Sequence, residues 1–374
     1  MSKGWTTISY IGLLLLLLMM MGRAVGPWIV LRPVSLREDP AFAFTSMPAS
    51  RAVDGFSPAE HAGSAYKNVD PEYRRASYWA RLHSLVIGGT WLFTERRVAA
   101  LPAGTPDWAT LRGGSRAATV TWIGHSTVLV QLDGVTFLTD PNWNDRSGPF
   151  SGFIGVRRYT PPGIALDSLP RIDFVLISHD HYDHLDEPTV RRLARKFDPQ
   201  FIVPKGIKAW LADRGISNAI ELDWGESVVV KGLTVVCTPA QHGSGRTVLD
   251  QGRRLWSSWA VLGSKHFYFG GDTGYYRHFH QIGDALGPFD LAALPIGSYT
   301  PREIAKPVHM SPEDAVQASL DLRAAHFLGV HWGTFALARE PYDEPPVRLA
   351  AEIERRHLDP AVAWVLKPGE TRRW

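Results

Sequence analysis

The side chains most able to do chemistry are concentrated in six consecutive residues, His-Asp-His-Tyr-Asp-His, at positions 179–184. They directly follow an apolar, strand-like run. Alternate side chains of an extended segment project to the same side, so His179 and His181 can converge on one ion. Asp183 and His184 lie past a bend and can reach a second ion. Such a cluster is rare in a polar surface loop, the alternative interpretation, so the segment predicts a metal site at the end of a buried strand.

Three further residues have the sequence context expected of metal ligands, because each follows an apolar run and lies near small residues. They are His242, Asp272 and His331. Taken singly, each would more naturally be a solvated strand end, but beside the histidine cluster they suggest a complete set of ligands. Glycine next to a ligand lets the backbone approach an ion closely. Histidine and carboxylate ligands without thiolate favour zinc, and iron or manganese can also occupy such sites.

The elements that would position these residues alternate between strands and helices, which predicts an α/β fold. Asp133-Gly134 predicts a tight hairpin turn. Ser311, with Pro312 after it and Asp314 three residues on, predicts a helix start with a capping box. The predicted strands are 118–123, 127–132, 135–139, 174–178, 201–204, 228–230, 233–238, 259–262, 266–270, 291–296 and 326–331. The predicted helices are 71–87, 187–197, 207–213, 275–286, 312–322 and 346–356.

Composition places the chain in the ordinary globular class, with 374 residues of which 45% are apolar and 21% charged. The net charge of +3 is too weak to indicate a nucleic-acid partner, and we expect none. The one cysteine, Cys237, lies in an apolar run and is expected to be a buried strand residue. The sequence does not indicate an oligomeric state.

The N-terminus is predicted to be a membrane-targeting segment, because the uncharged run 4–22 lies between Lys3 and Arg23. It can be a membrane anchor or a signal peptide. Pro27 disfavours cleavage just before it and Trp28 can lie at the membrane interface, so we favour an uncleaved anchor and membrane association. If the segment is cleaved, the protein is secreted or periplasmic.

The chain is predicted to have three parts. Residues 1–32 are the anchor or signal segment, and residues 33–116 are a connector and decoration on the core. Residues 117–374 are the catalytic domain.

Longer sequence motifs, spread over about residues 118–338, resemble those of the metallo-β-lactamase superfamily. Within it they are most similar to the N-acyl-phosphatidylethanolamine-hydrolysing phospholipase D family, and less so to ascorbate-6-phosphate lactonases. The motifs are Trp122-Ile-Gly-His-Ser-Thr, Leu138-Thr-Asp-Pro, the segment from Ile177 to Asp186, Gly297-Ser-Tyr-Thr-Pro-Arg and Val330-His-Trp-Gly-Thr-Phe. The resemblance implies a four-layer αββα sandwich that binds two zinc ions between its two sheets.

The resemblance also implies how the ligands are divided. One ion would take His179, His181 and His242, the second would take Asp183, His184 and His331, and Asp272 would bridge them. Asp183 and Asp272 would thus be catalytic as well as metal-binding. Asp180 departs from the family, since the animal phospholipases carry asparagine there. We expect its side chain to point away from the ions.

Five other residues are candidates for the site. Asp140 is expected to accept a hydrogen bond from a ligating histidine and orient it. His309 matches a catalytic position near the metals, with a hydrogen-bonded helix start as the alternative. His125, Tyr299 and Arg302 are candidate substrate contacts: Arg302 could bind phosphate or be a surface arginine, and His125 could instead be a buried structural histidine.

These observations predict a dinuclear zinc hydrolase that cleaves a phosphodiester. The resemblance implies phospholipase D-type hydrolysis of N-acyl-phosphatidylethanolamine to phosphatidic acid and N-acylethanolamine. A lactonase or other ester hydrolase is the first alternative, and a nuclease is disfavoured by the weak net charge. A metal protein without catalysis, anchored to the membrane, is the alternative from another class.

Overall fold

Two facing β-sheets form the centre of the fold in the computed structural model, which describes residues 50–70, 99–113, 117–247 and 249–374. The strands are β1 (Arg51–Ala52), β2 (His61–Ala62), β3 (Ala65–Tyr66), β4 (Thr119–Gly124), β5 (Thr127–Leu132), β6 (Val135–Thr139), β7 (Arg146–Ser147), β8 (Val156–Arg157), β9 (Phe174–Leu176), β10 (Gln200–Pro204), β11 (Ala219–Leu222), β12 (Glu226–Val230), β13 (Leu233–Thr238), β14 (Ser258–Leu262), β15 (His266–Phe269), β16 (Leu291–Pro295), β17 (His326–Val330), β18 (Ala363–Trp364) and β19 (Thr371–Arg373).

The first sheet has the strand order β11-β10-β9-β6-β5-β4-β19, and the second has the order β1-β12-β13-β14-β15-β16-β17-β18. Side chains alternate between the faces of a strand, so one face of each sheet can pack against the other sheet. Phe137 of the first sheet stacks on Phe174 at 4.5 Å between ring centroids and meets Phe267 of the second sheet at 5.8 Å. The main core therefore lies between the sheets.

Helices cover the outer faces of both sheets. They are α1 (Trp108–Arg112), α2 (Glu187–Phe197), α3 (Ile207–Ala212), α4 (His278–Leu286), α5 (Arg302–Ala305), α6 (Pro312–Asp321) and α7 (Glu344–Arg355). Val190 and Leu193 of α2 pack in one apolar cluster with Val175 and Val203 on the outer face of the first sheet. Helices α4, α6 and α7 contribute to the cluster that contains the second sheet. The order of layers is therefore helix, sheet, sheet, helix, which confirms the predicted αββα sandwich.

The strongest local signals in the sequence are confirmed. Asp133 and Gly134 both have left-handed φ, 54° and 83°, in the turn between β5 and β6. The capping box at Ser311 and Asp314 is present, because each side chain accepts a hydrogen bond from the other residue's backbone N–H.

Several boundaries differ from the prediction. Helix α4 begins at His278, three residues later than expected, and α7 begins two residues earlier, at Glu344. Strands β11, β18 and β19 were not predicted, and the expected helix over 71–87 lies outside the described residues.

The segments before the predicted catalytic domain contribute to this fold. Arg51 and Ala52 pair with Ser227 and Glu226 at one edge of the second sheet, and Leu111 lies in the outer apolar cluster of the first sheet. The anchor predicted over residues 1–32 lies outside the described ranges. Within those ranges, no helix combines the length and apolar character needed to cross a membrane.

Replacing Phe137 by alanine should destabilise the fold, because a buried ring between the two sheets would leave a cavity. We expect the free energy of unfolding in urea to fall by about 3–5 kcal/mol. The matched control is Phe153→Ala, whose side chain is exposed, and it should change the free energy by less than about 0.5 kcal/mol. Equal losses in the two variants would contradict the assignment of Phe137 to the core.

Candidate metal centre

The predicted ligands lie where strands of the two sheets end. His179 follows β9 of the first sheet. His242, Asp272 and His331 follow β13, β15 and β17 of the second sheet, in that order. Gly271 allows the two sheets to approach here: its φ is +58°, and a Cβ on it would lie 2.5 Å from the Cβ of Ser178. The glycine beside Asp272 therefore allows contact between the two sheets, whereas from the sequence we expected it to let the backbone approach an ion.

Three imidazoles form the first group of donor atoms. His179 Nε2 lies 2.8 Å from His181 Nδ1, which lies 3.2 Å from His242 Nε2. His242 donates from Nδ1 to the carbonyl of Val308 at 2.9 Å, and His179 Nδ1 lies 2.9 Å from Ser178 Oγ. These outer hydrogen bonds fix the tautomers, so that both Nε2 lone pairs face His181.

Asp183, His184 and His331 form the second group. Asp183 Oδ2 lies 3.2 Å from His184 Nε2 and 3.5 Å from His331 Nε2. Asp272 contacts both groups: its Oδ2 lies 3.2 Å from His184 Nε2 and 3.7 Å from His242 Nε2, while its Oδ1 lies 3.0 Å from His331 Nε2. All seven predicted ligands are thus in one cluster, with Asp272 in the bridging position.

The donor atoms fit a metal centre. Among the described residues, His184 Nε2, His331 Nε2 and Asp272 Oδ1 are buried without a hydrogen-bond partner. They lack hydrogen-bond geometry but face one another at short range, with Asp272 Oδ1 3.0 Å from His331 Nε2, across distances that a cation could occupy. Nitrogen and oxygen donors without sulfur suit zinc, iron or manganese.

The charges of the cluster also suit a cation. Burial raises the pKa of Asp183 and Asp272, but the surrounding histidines outweigh it and hold both pKa values well below the ordinary range. Burial, together with neighbouring histidines, lowers the pKa of His179 and His242 well below 6.5. The two carboxylates are therefore ionised and these two imidazoles neutral, which are the states that bind metal. For His184 and His331 burial lowers the pKa, but the carboxylates of Asp272 and Asp183 outweigh it and raise the pKa, that of His331 to about 9, so a metal ion would have to displace a proton from each of these two rings.

Asp140 orients His184, as predicted. It is fully buried, and its Oδ2 accepts from His184 Nδ1 at 2.6 Å while its Oδ1 accepts from the Ser178 N–H at 2.7 Å. The hydroxyl of Ser178 contacts both Asp140 and His179, a role that the sequence analysis missed. The available signal was a hydroxyl residue immediately before the first ligand.

His309 lies at the margin of the cluster. Its Nδ1 is 3.8 Å from Asp272 Oδ2, and its ring centroid is 5.1 Å from that of His242. Burial lowers its pKa to about 4, so the imidazole is neutral at neutral pH. The position agrees with the expectation of a residue near the metals.

His125 is buried behind the cluster instead of lining an open surface. Its Nε2 donates to Asp183 Oδ2 at 3.0 Å, and its carbonyl accepts from the His331 N–H at 3.0 Å. Burial and the neighbouring His331 lower its pKa to about 3. These contacts fit the alternative interpretation, a buried histidine that holds two ligands, and the role of His125 as a substrate contact stays a prediction.

The structure does not bring Tyr299 and Arg302 to the metals. Tyr299 is buried and donates to Glu344 at 2.8 Å. Arg302 pairs with Asp314 and donates to the carbonyl of His309 at 2.9 Å. Tyr299 is thus held by α7, and Arg302 holds the segment that carries His309, partners that the sequence could not reveal. Contact of either side chain with substrate stays a prediction.

Comparison with known proteins agrees with this geometry. The Beta-lactamase superfamily domain matches residues 136–332, a range that contains the whole ligand cluster and most strands of both sheets. The chain belongs to the metallo-β-lactamase superfamily. A Mycobacterium tuberculosis protein of uncharacterised function is 43% identical over 349 residues, which cover 91% of this chain and 90% of that protein. N-acyl-phosphatidylethanolamine-hydrolyzing phospholipase D 1 of Caenorhabditis elegans is 47% identical over 250 residues, 63% of this chain and 70% of that protein.

Solved structures agree on the fold. Isothiocyanate hydrolase from Delia radicum gut bacteria superposes with a TM-score of 0.55 at 20% identity over 68% of this chain and 98% of that one. A metallo hydrolase from Ignicoccus hospitalis has a TM-score of 0.52 at 24% identity and covers 69% of this chain and 98% of its own. A UPF0173 metal-dependent hydrolase of Solibacter usitatus is 31% identical over 263 residues, which cover 68% of this chain and 99% of that protein. The sequence relatives therefore show that this chain is a metal-dependent hydrolase.

Removing the carboxylate of Asp140 should weaken metal binding without removing a ligand, because His184 would lose the acceptor that fixes its ring. For Asp140→Ala we expect an affinity loss on the order of 10- to 100-fold, measured by competition with a chelator. Asp167→Ala is the control, since that side chain is 78% exposed. Unchanged affinity in Asp140→Ala would rule out the orienting role.

Proposed function

We propose that this enzyme hydrolyses a phosphodiester, most specifically N-acyl-phosphatidylethanolamine, to phosphatidic acid and N-acylethanolamine. The observation that carries the proposal is the cluster of seven donors joined through Asp272, in a chain whose relatives include proteins named for that reaction. Hydrolysis of a phosphodiester requires activated water and stabilisation of phosphoryl charge, and a two-metal centre supplies both.

The residues of the chain divide the work. His179, His181 and His242 would hold one zinc ion, Asp183, His184 and His331 the other, and Asp272 both. Bound ions would lower the pKa of water and stabilise negative charge on the phosphoryl oxygens. His309, neutral and 3.8 Å from Asp272, would hydrogen-bond to the departing alcohol.

A cavity beside the metal centre supports a substrate with an apolar part. It has a volume of about 100 Å³ and includes His331 in its wall. Aromatic and aliphatic side chains line one part of it, among them Tyr159, Phe335, Leu337 and Tyr342, and polar groups line the rest. Glu340, also in the wall, accepts hydrogen bonds from Ser298 and Thr300. An apolar substituent next to the phosphodiester would fit this composition.

Membrane association through the N-terminal segment is part of the proposal, because an enzyme held at a bilayer meets its lipid substrate there. The segment itself lies outside the described residues. The lipid partner and the membrane location rest on the uncharged run in the sequence and on the proposed substrate.

Metal removal should abolish hydrolysis of N-acyl-phosphatidylethanolamine, and zinc should restore it. Asp183→Asn should lose metal and reduce turnover on the order of a thousandfold, because several kcal/mol of transition-state stabilisation would be lost. Asp167→Asn, at an exposed position, is the matched control and should keep full activity. The measurements are metal content and release of N-acylethanolamine from detergent-dispersed lipid.

Two outcomes would replace the proposal. Metal-loaded protein that leaves this lipid intact but opens a lactone or cleaves another ester would be a lactonase or esterase. Protein that binds metal at Asp183 and turns over no member of a lipid, phosphodiester and lactone panel would be a scaffold.

A further inference from the structure

The hairpin of β7 and β8 presents an apolar tip to solvent. Residues 147–156 contain no charged side chain and lie between Arg146 and Arg157. Three large apolar side chains within this stretch are exposed: Phe150 by 63%, Phe153 by 84% and Ile154 by 51%. Single exposed apolar residues are common, but three within five positions form a patch typical of surfaces that contact a membrane, a ligand or another protein.

The shape of the tip is fixed by close backbone packing. Gly148 and Gly155 face the opposite strand so closely that a Cβ on either would collide with its backbone. Asn144 Nδ2 donates to the carbonyl of Ser151 at 2.8 Å and ties the turn to the preceding segment. The apolar side chains are therefore displayed outward by a defined turn.

The hairpin is joined to the loop that carries the metal ligands. The Asn144 amide that holds the tip also lies 3.3 Å from Asp186 Oδ1, at the start of α2. Asn142 Nδ2 donates to the carbonyl of Asp183 at 3.2 Å, and Arg158 Nη2 donates to the Asn142 carbonyl at 2.8 Å. The hairpin therefore lies beside the segment that carries Asp183 and His184, and a partner that binds the tip would lie on that side of the metal centre.

The charges around the tip suit a phospholipid surface. Arg146 and Arg157 lie at the base of the hairpin, and Arg146 Nη1 donates to the carbonyl of Gly155 at 3.0 Å. An apolar, aromatic end above basic side chains is the pattern by which proteins enter the boundary between headgroups and acyl chains. The arginines would then lie at the level of the lipid phosphates.

We propose that this hairpin docks the catalytic domain on a phospholipid bilayer, with Phe150, Phe153 and Ile154 inserted and Arg146 and Arg157 at the phosphates. The inference rests on the proposed action on a lipid. It adds a second membrane contact, distinct from the N-terminal segment, that sets the metal centre against the lipid.

The test places a fluorophore at the tip of the full-length protein. Phe153→Cys is labelled with an environment-sensitive dye, which the buried Cys237 will not take up. With vesicles of phosphatidylethanolamine and phosphatidylglycerol we expect a blue shift, and quenching by lipids that carry a spin label on the acyl chain. Val229→Cys, at an outward position of β12 that is 50% exposed, is the control and should show neither change.

A companion variant tests whether the apolar tip itself drives insertion. With Phe150 and Ile154 both replaced by serine, quenching of the dye at position 153 should fall to the level of the Val229 control. Circular dichroism of the same sample checks that the fold is kept, as expected for exposed positions.

Two results would overturn the proposal. The dye at position 153 could stay in water while the protein sediments with vesicles through its N-terminal segment. It could also be in an apolar environment without lipid, which would mean that protein covers the tip. Insertion requires no turnover, so it is also measured in Asp183→Asn. Activity on detergent-dispersed lipid separately decides the proposed function.

Discussion

Buried polar atoms without hydrogen-bond partners are the constraint on which the rest of this structure depends. His184 Nε2, His331 Nε2 and Asp272 Oδ1 lie together in the interior, away from water. Ion pairs within the cluster, such as Asp272 Oδ1 with His331 Nε2 at 3.0 Å, offset only part of the cost of removing these groups from water. A bound cation removes that cost, so metal binding and stability of the folded state are expected to be coupled.

The surrounding fold keeps these atoms in place through partners one step farther out. The carboxylate of Asp140 accepts hydrogen bonds from the His184 ring and the Ser178 N–H. The backbone carbonyl of Asp140 accepts from the Thr127 hydroxyl at 2.7 Å. At the opposite side of the cluster, the carbonyl of Val308 accepts a hydrogen bond from His242 Nδ1. The rings of His184 and His242 are thus held by hydrogen bonds from outside the cluster, which leaves them little freedom to turn.

The sequence was most informative where a single local rule decides the outcome. Strands such as Thr127–Leu132 and the turn at Asp133 follow from alternation and turn chemistry, and the ligands follow from residue type at strand ends. Tyr299 and Arg302 show the limit, because their roles depend on Glu344 and Asp314, which only tertiary structure brings near. Strand β11, Ala219–Leu222, was missed because Glu221 interrupts its apolar residues, so no apolar run marks the strand.

Asp180 shows how a residue between two ligands can serve the site from its opposite side. Its Oδ1 accepts from the Gly245 N–H and its Oδ2 from Arg254, both at 2.7 Å. An asparagine could keep the first bond, but its NH2 group would then face the guanidinium, and both are donors. Asp180 and Arg254 therefore form a matched pair that holds the segment after His242. Aspartate in place of the asparagine of the animal phospholipases thus changes the contacts that hold the segment after His242. It does not change the metal-binding atoms.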